Sequence, residues 1–236
     1  MRYFKFLTDK MTGGHTDFVW PIDEWVAVSG KLKFCENGFH ILAEKHYLPE
    51  WTQSQLFEVE LDHKAGILKS DDKWCCRKVR LVKKIDTWNE KTKRLFVADC
   101  AAHVLSRFEK LYPTDRRPRQ AIEAARLFAA GKITSEQLKA AADAAYRAAD
   151  EVAVSLTNAN AHHVAASSAA KAAWAAAYDP SGDASEAISQ VVQATRDAIW
   201  LIGQPVWASP NVDFEQRWQT RLFLNYVDGK RGIGLN

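Results

Sequence analysis

Apolar and polar positions along the chain follow two rhythms. Up to about residue 86 the apolar side chains come in short runs with a period near two, the mark of half-buried strands. Tyr3–Leu7 is one such run, and Leu56, Val59 and Leu61 lie in another. Trp25–Val28 and Lys31–Cys35 are separated by Ser29-Gly30, which predicts a hairpin. Trp74–Ile85 is the longest run. Gly38-Phe39-His40 reads as a turn, and Ile41–Leu48 as one short helix stopped by Pro49.

Beyond residue 87 the period lengthens to that of a helix. Val97, Cys100/Ala101, Val104, Phe108 and Leu111 mark one face of a helix from Trp88 to Leu111, closed by Tyr112-Pro113. Pro118 suits the first turn of a second helix that runs to Gly131. Thr134-Ser-Glu-Gln137 has the pattern of a capping box and opens a third, which continues past Tyr146 towards Leu156. Asn158 and Asn160 suggest a break, and His162–Tyr178 a fourth helix. Asp179-Pro-Ser-Gly-Asp183 is a loop. A fifth helix is expected from about Ala184 to Ile202 and a sixth from about Val212 to Val227, with a frayed tail from Lys230 to Asn236.

The predicted fold class is therefore α+β: a small antiparallel β-rich domain at 1–86, then an all-α bundle of about six helices at 87–236. The switch falls between Lys84 and Asn89. From Gln120 to Tyr178 alanine dominates, which favours helix and lets helix axes approach closely.

Composition narrows the function classes. Apolar residues make up 47% of the 236 and charged residues 26%. That balance suits a globular chain and not a disordered one. The net charge of +3 excludes an extreme nucleic-acid packaging protein. There is no run of eighteen apolar residues, and MRYFKFLTDKMTGG does not have the form of a signal peptide, so a cytoplasmic location is expected. The four cysteines, Cys35, Cys75, Cys76 and Cys100, contain no C-x-x-C pair and are expected to be free thiols.

Four constellations could carry chemistry. Asp99, Cys100 and His103 lie within one helical turn, where a carboxylate could orient an imidazole beside a thiol; a buried thiol next to a hydrogen-bonded pair is the simpler reading. Zinc ligands could come from Cys35 and His40, Cys100 and His103, or His162 and His163, but these spacings are permissive and no metal is expected. The run WCCRKVRLVKKI alternates Cys76, Lys78, Arg80, Val82 and Lys84 onto one face; with Arg116, Arg117 and Arg119 it could track a phosphate backbone, yet acidic residues nearly balance it in both halves. Trp20, Trp25, Trp51, Trp74 and Trp88 are many for a small β domain, and any exposed member would suit an interface. No G-x-S-x-G, P-loop, dinucleotide glycine fingerprint or H-E-x-x-H is present.

The second half resembles a known family. The stretch from Trp88 to Thr134, with Asp99-Cys100-Ala101, His103-Val104-Leu105 and Arg117-Pro118-Arg119-Gln120-Ala121-Ile122-Glu123-Ala124-Ala125-Arg126, is similar to the opening of the alanine-rich helical domain of the putative immunity protein family, found on bacterial and phage chains. The closing E-x-x-W-Q-x-x-x-L element, Glu215–Leu222, fits approximately, and the likeness covers about 87–227. The histidines of the fourth helix are reduced here to His162-His163. The first half, with Cys35, Gly38, Phe39 and His40 as C-x-x-G-F-H, resembles an uncharacterised small β domain of phage-type proteins.

The resemblance implies a protein without catalytic residues or cofactor that binds a protein partner stoichiometrically, as an immunity-like or phage-encoded, anti-defence inhibitor of a toxin or defence component. A nucleic-acid binder using strand 74–85 and an enzyme with a Cys/His site are the alternatives. The expected partner surface is Trp20, Trp25, Trp51 and Trp74, rimmed by Lys78, Arg80 and Lys84. Asp99, His103, Arg117, Arg119, Glu123 and Arg126 are expected to form a polar network between the first two helices of the bundle.

Overall fold

Seven short strands form one antiparallel sheet: β1 (Tyr3–Leu7), β2 (Trp25–Ala27), β3 (Phe39–Ala43), β4 (Gln55–Leu61), β5 (Ile67–Lys69), β6 (Trp74–Cys76) and β7 (Lys78–Lys84). Their order is β2-β7-β4-β1-β3-β6-β5. The structure is a computed structural model and describes residues 1–14, 16–154, 161–178, 184–200 and 210–230. The chain divides into two compact units, Met1–Trp88 and Asn89–Asn236.

Period-two alternation sorts the strand residues as expected. Leu7, Ile41, Phe57, Val59, Trp74, Val79 and Leu81 meet Trp20 in the core of the sheet unit. The long run 74–85 departs from expectation, because it is two strands joined at Arg77. Cys76 pairs with Phe39 and Ile67, whereas Lys78 pairs with Ala27. Strands adjacent in sequence are thus separated in the sheet, with β4, β1 and β3 between them, and the sheet must curl to let the chain cross. Arg77 makes the crossing possible: Nε donates to the Ala65 carbonyl at 2.9 Å, and Nη1 donates to those of Val28 and Gly30 at 3.2 and 2.6 Å.

The same guanidinium explains why the expected hairpin at Ser29-Gly30 is absent. It occupies the Val28 and Gly30 carbonyls, and Asn37 Nδ2 donates to those of Ser29 and Lys31. Residues 31–35 form no strand, and β2 pairs with β7 instead. The short helix expected over Ile41–Leu48 is also corrected. Phe39–Ala43 is β3, hydrogen-bonded between β1 and β6, and a 3-10 turn covers Leu48–Trp51. A five-residue run that is apolar on both faces cannot reveal its period.

The helical unit comprises α1 (Glu90–Glu109), α2 (Arg117–Ala129), α3 (Ser135–Val154), α4 (Ala161–Ala177), α5 (Ala184–Trp200) and α6 (Pro210–Val227). Asn89 caps α1 reciprocally: its Oδ1 accepts from Thr92 N at 3.2 Å, and Thr92 Oγ1 accepts from Asn89 N at 2.9 Å. Thr134 and Gln137 close the expected box ahead of α3, at 3.3 and 2.9 Å. The helix α4 packs against α1, α2, α3 and α5. Its buried residues include Ala165, Ala166, Ala169, Ala170, Ala172, Ala173, Ala175 and Ala176, with Ser167 donating to the Ala149 carbonyl of α3 at 3.0 Å, so small side chains line it against four neighbours. The expected break at Asn158 and Asn160, the loop 179–183, the end of the fifth helix beyond residue 200 and the tail beyond residue 230 lie outside the described residues.

Candidate functional site

In the sheet unit the basic strand meets one of the tryptophans, Trp25. β2 is an edge strand whose register sets Trp25 opposite Arg80 and Ala27 opposite Lys78 on β7. Trp25 is 40% exposed. Its ring lies 5.0 Å from Lys78 Nζ and 5.3 Å from Arg80 Cζ. That is a cation–π arrangement on both flanks. Ile22 and Val19 are exposed nearby in sequence. The cations themselves are paired. Lys78 Nζ is 3.2 Å from Asp62, and Arg80 bonds Glu60 and lies 3.3 Å from Asp23. The hydrogen bond from Lys78 holds the Asp62 carboxyl below the usual carboxylate range. The patch is therefore amphipathic and of mixed charge, and not a bare basic stripe.

The other expected interface residues scatter. Trp20 and Trp74 are 4% exposed and belong to the core, so neither presents a ring to a partner. Trp51 is half-buried beneath Lys73, whose Nζ is 4.8 Å from the ring. Lys84 is exposed at the end of β7. Sequence could not separate these tryptophans, because a single large ring in a short run does not show which way it faces.

In the helical unit the six expected network residues fall into separate groups. Asp99 on α1 does reach α2: its Oδ1 accepts from Arg126 Nη2 at 2.9 Å, and its Oδ2 accepts from the Tyr226 hydroxyl of α6 at 2.7 Å. Burial, reinforced by the Asp99 charge, raises the Tyr226 phenol above its ordinary range. His103 turns away from Asp99, and its Nε2 is 3.2 Å from the fully buried Glu215 of α6. Its ring stacks on Trp218 with centroids 3.9 Å apart. Gln219 Nε2 donates at 2.7 Å to both Glu215 and Thr195. Arg117 instead clamps Asp115 and Glu151, and Arg119 pairs with Glu109 at 2.6 Å. Glu123 lies close enough to Arg119 to help hold its charge. Residues four apart on a helix share a face but span about 6 Å, so two different partners on α6 can separate Asp99 from His103.

Glu215, Trp218, Gln219 and Tyr226 were not among the expected network residues, although Glu215, Trp218 and Gln219 recur at helical spacing in the closing E-x-x-W-Q element. The buried thiols of Cys100 and Cys76 are poor nucleophiles. Burial pushes the Cys100 thiol well up, with the charges of Glu215 and Asp99 adding, and burial pushes Cys76 up to about 12. Cys35 donates its backbone N–H to His40 Nε2 at 3.1 Å. His162 and His163 are consecutive in the first turn of α4. Among the described residues no group of three His, Cys, Asp or Glu side chains is placed to hold a metal ion. Among them, too, no helix is long and apolar enough to cross a membrane.

Neither a curated protein nor a solved structure matches the chain. Two families do. Residues 1–93 match a domain of unknown function (DUF7666), which covers the whole sheet unit. Residues 83–195, which include Asp99, His103, Arg117, Arg119 and Arg126, match the Imm-5 like putative immunity protein family, and so the chain joins an uncharacterised sheet domain to a helical domain similar to immunity proteins.

Proposed function

We propose that this chain is an immunity-type protein that neutralises a protein toxin or defence component by stoichiometric binding, without turnover. The observation that carries the reading is the match of residues 83–195 to a family named for immunity. The helical unit suits such a role as a rigid support, with α4 sealed among four helices and a buried polar core tying α6 to α1 and α5. In the sheet unit, Trp25 supplies a large ring with few rotamers, and Lys78, Arg80 and Lys84 rim it. An edge strand with an exposed aromatic suits pairing with another protein chain. The partner is a protein with an apolar recess for the Trp25 ring and groups of mixed charge beside it.

The test begins with affinity capture of the partner from the native host and continues with calorimetric titration of the purified pair. Saturation at a fixed molar ratio is expected, and Trp25→Ala should weaken binding by at least about tenfold, or about 1.4 kcal/mol. Action at substoichiometric amounts would overturn the proposal, as would activity abolished by a chelator or by Cys100→Ser in a folded protein.

A further inference from the structure

The sheet unit holds a cavity of about 540 Å³. That is within the usual size range of small-molecule sites. One wall is aromatic. Phe18, Trp20 and Phe39 meet edge to face or tilted, with ring centroids 5.2 to 5.6 Å apart. Trp51, Val26 and Val28 add apolar surface. The C-x-x-G-F-H signature contributes to this wall, since Gly38, Phe39 and His40 all line the cavity. Gly38 has φ +134, and a Cβ there would overlap Cys75 Sγ, so only glycine lets this segment lie against β6.

Two polar groups inside the cavity are left unsatisfied. Lys5 on β1 points its ammonium into the cavity. It donates one hydrogen bond, to the His40 carbonyl at 3.1 Å, and lies 5.1 Å from the Trp20 ring. An ammonium has three donors, and no carboxylate among the described residues pairs with this one. Lys5 is half-buried, and burial lowers its pKa to about 8. Gln53 supplies the second group: its Oε1 is buried without a hydrogen-bond partner. The loop opposite is built for close approach. A Cβ on Gly14 would lie 2.6 Å from Gln53 Nε2, and one on Gly13 would lie 3.8 Å from Lys5 Nζ and 3.5 Å from Thr16 Oγ1. A half-buried ammonium with a single hydrogen bond and a buried amide oxygen with none leave capacity that a ligand can fill.

We propose that this cavity binds a small aromatic acid, whose carboxylate or phosphate meets the Lys5 ammonium while its ring lies against Trp20, Phe39 and Phe18. Gln53 accepts a hydrogen bond from a donor on the ring edge. His40, kept neutral by burial and by the neighbouring Lys73 and Lys5, adds no competing charge. This inference does not rest on the proposed immunity role, because Trp25 does not line the cavity.

The test is calorimetric titration of the full chain with naphthoate, with naphthamide as its uncharged counterpart and phenyl phosphate as the phosphate arm. One of the two anions should bind at one site per chain, and naphthamide at least about tenfold more weakly than naphthoate or phenyl phosphate. Which anion binds tighter identifies the acid group. Lys5→Met should lower the anion's affinity by a similar factor and leave naphthamide binding nearly unchanged. Saturable binding by neither anion overturns the proposal. So does equal affinity for acid and amide in the unmodified protein, a comparison that needs no variant to fold. Trp25→Ala should leave anion binding intact, so failure here and failure of partner binding are separate results.

Discussion

Replacing Lys5 by methionine should make the protein more stable at neutral pH, because the native lysine is held charged in a poor solvent for charge. Its pKa falls from 10.5 to about 8 on folding. That fall corresponds to about 3 kcal/mol against the ammonium in the folded state. Partial exposure of the side chain reduces the figure, and the variant also forgoes the bond to the His40 carbonyl, which contributes about 1 kcal/mol. The net gain at pH 7 should therefore be on the order of 1 kcal/mol. The sign of the pH dependence follows from the two pKa values. Between about 8 and 10.5 the folded state has released a proton that the unfolded state still holds. The stability contributed by Lys5 therefore rises with pH across that window, and the whole penalty is present below it. Scanning calorimetry of the full-length wild type and Lys5→Met from about pH 7 to pH 10 reads the difference directly, and the titrations common to both cancel. The advantage of the variant should shrink steadily above about pH 8. A difference that stays constant with pH, or a variant less stable at pH 7, would show that the ammonium is well solvated and would refute the reasoning.

Four further outcomes follow from the geometry. Trp20→Ala should cost about 3–5 kcal/mol in urea unfolding as a core truncation, whereas Trp25→Ala should change stability by less than about 1 kcal/mol; equal costs would contradict their opposite burial. His103→Ala removes the ring that stacks on Trp218 and lies beside the buried Glu215, and should destabilise by about 1–3 kcal/mol; an unchanged melting temperature would mean that neither contact contributes. Asp99→Ala and Tyr226→Phe should be non-additive in a double-mutant cycle by about 1 kcal/mol, and strict additivity would remove the bond between α1 and α6. In native alkylation followed by mass spectrometry, exposed Cys35 should label well before Cys75, Cys76 and Cys100; prompt labelling of Cys100 would show that the helical core opens readily.

Much of the architecture could be read in the sequence, because local rules governed it. Tyr3–Leu7 alternates and is β1, Thr134 and Gln137 form their box, and nine alanines in the thirteen positions 165–177 let α4 sit among four helices. These patterns need only a period and a cap. Decisions that depended on distant partners were not legible. Arg77 takes three carbonyls from two other segments, Ala65 and Val28–Gly30, and this splits one predicted strand and cancels one predicted hairpin. His103 could not announce Glu215, more than a hundred residues away, because helix periodicity records which face a residue occupies and not which helix covers that face. Trp20 and Trp25 stand five apart in one stretch, yet one is core and the other surface: Trp25 lies on the edge strand β2, whereas Trp20, in the loop before it, is tied to the Met11 carbonyl and packs into the core. Lys5 is the clearest case. In sequence it is one polar residue alternating among aromatics, and only the tertiary fold brings Gly13, Phe18, Trp20 and His40 around it and makes its charge costly.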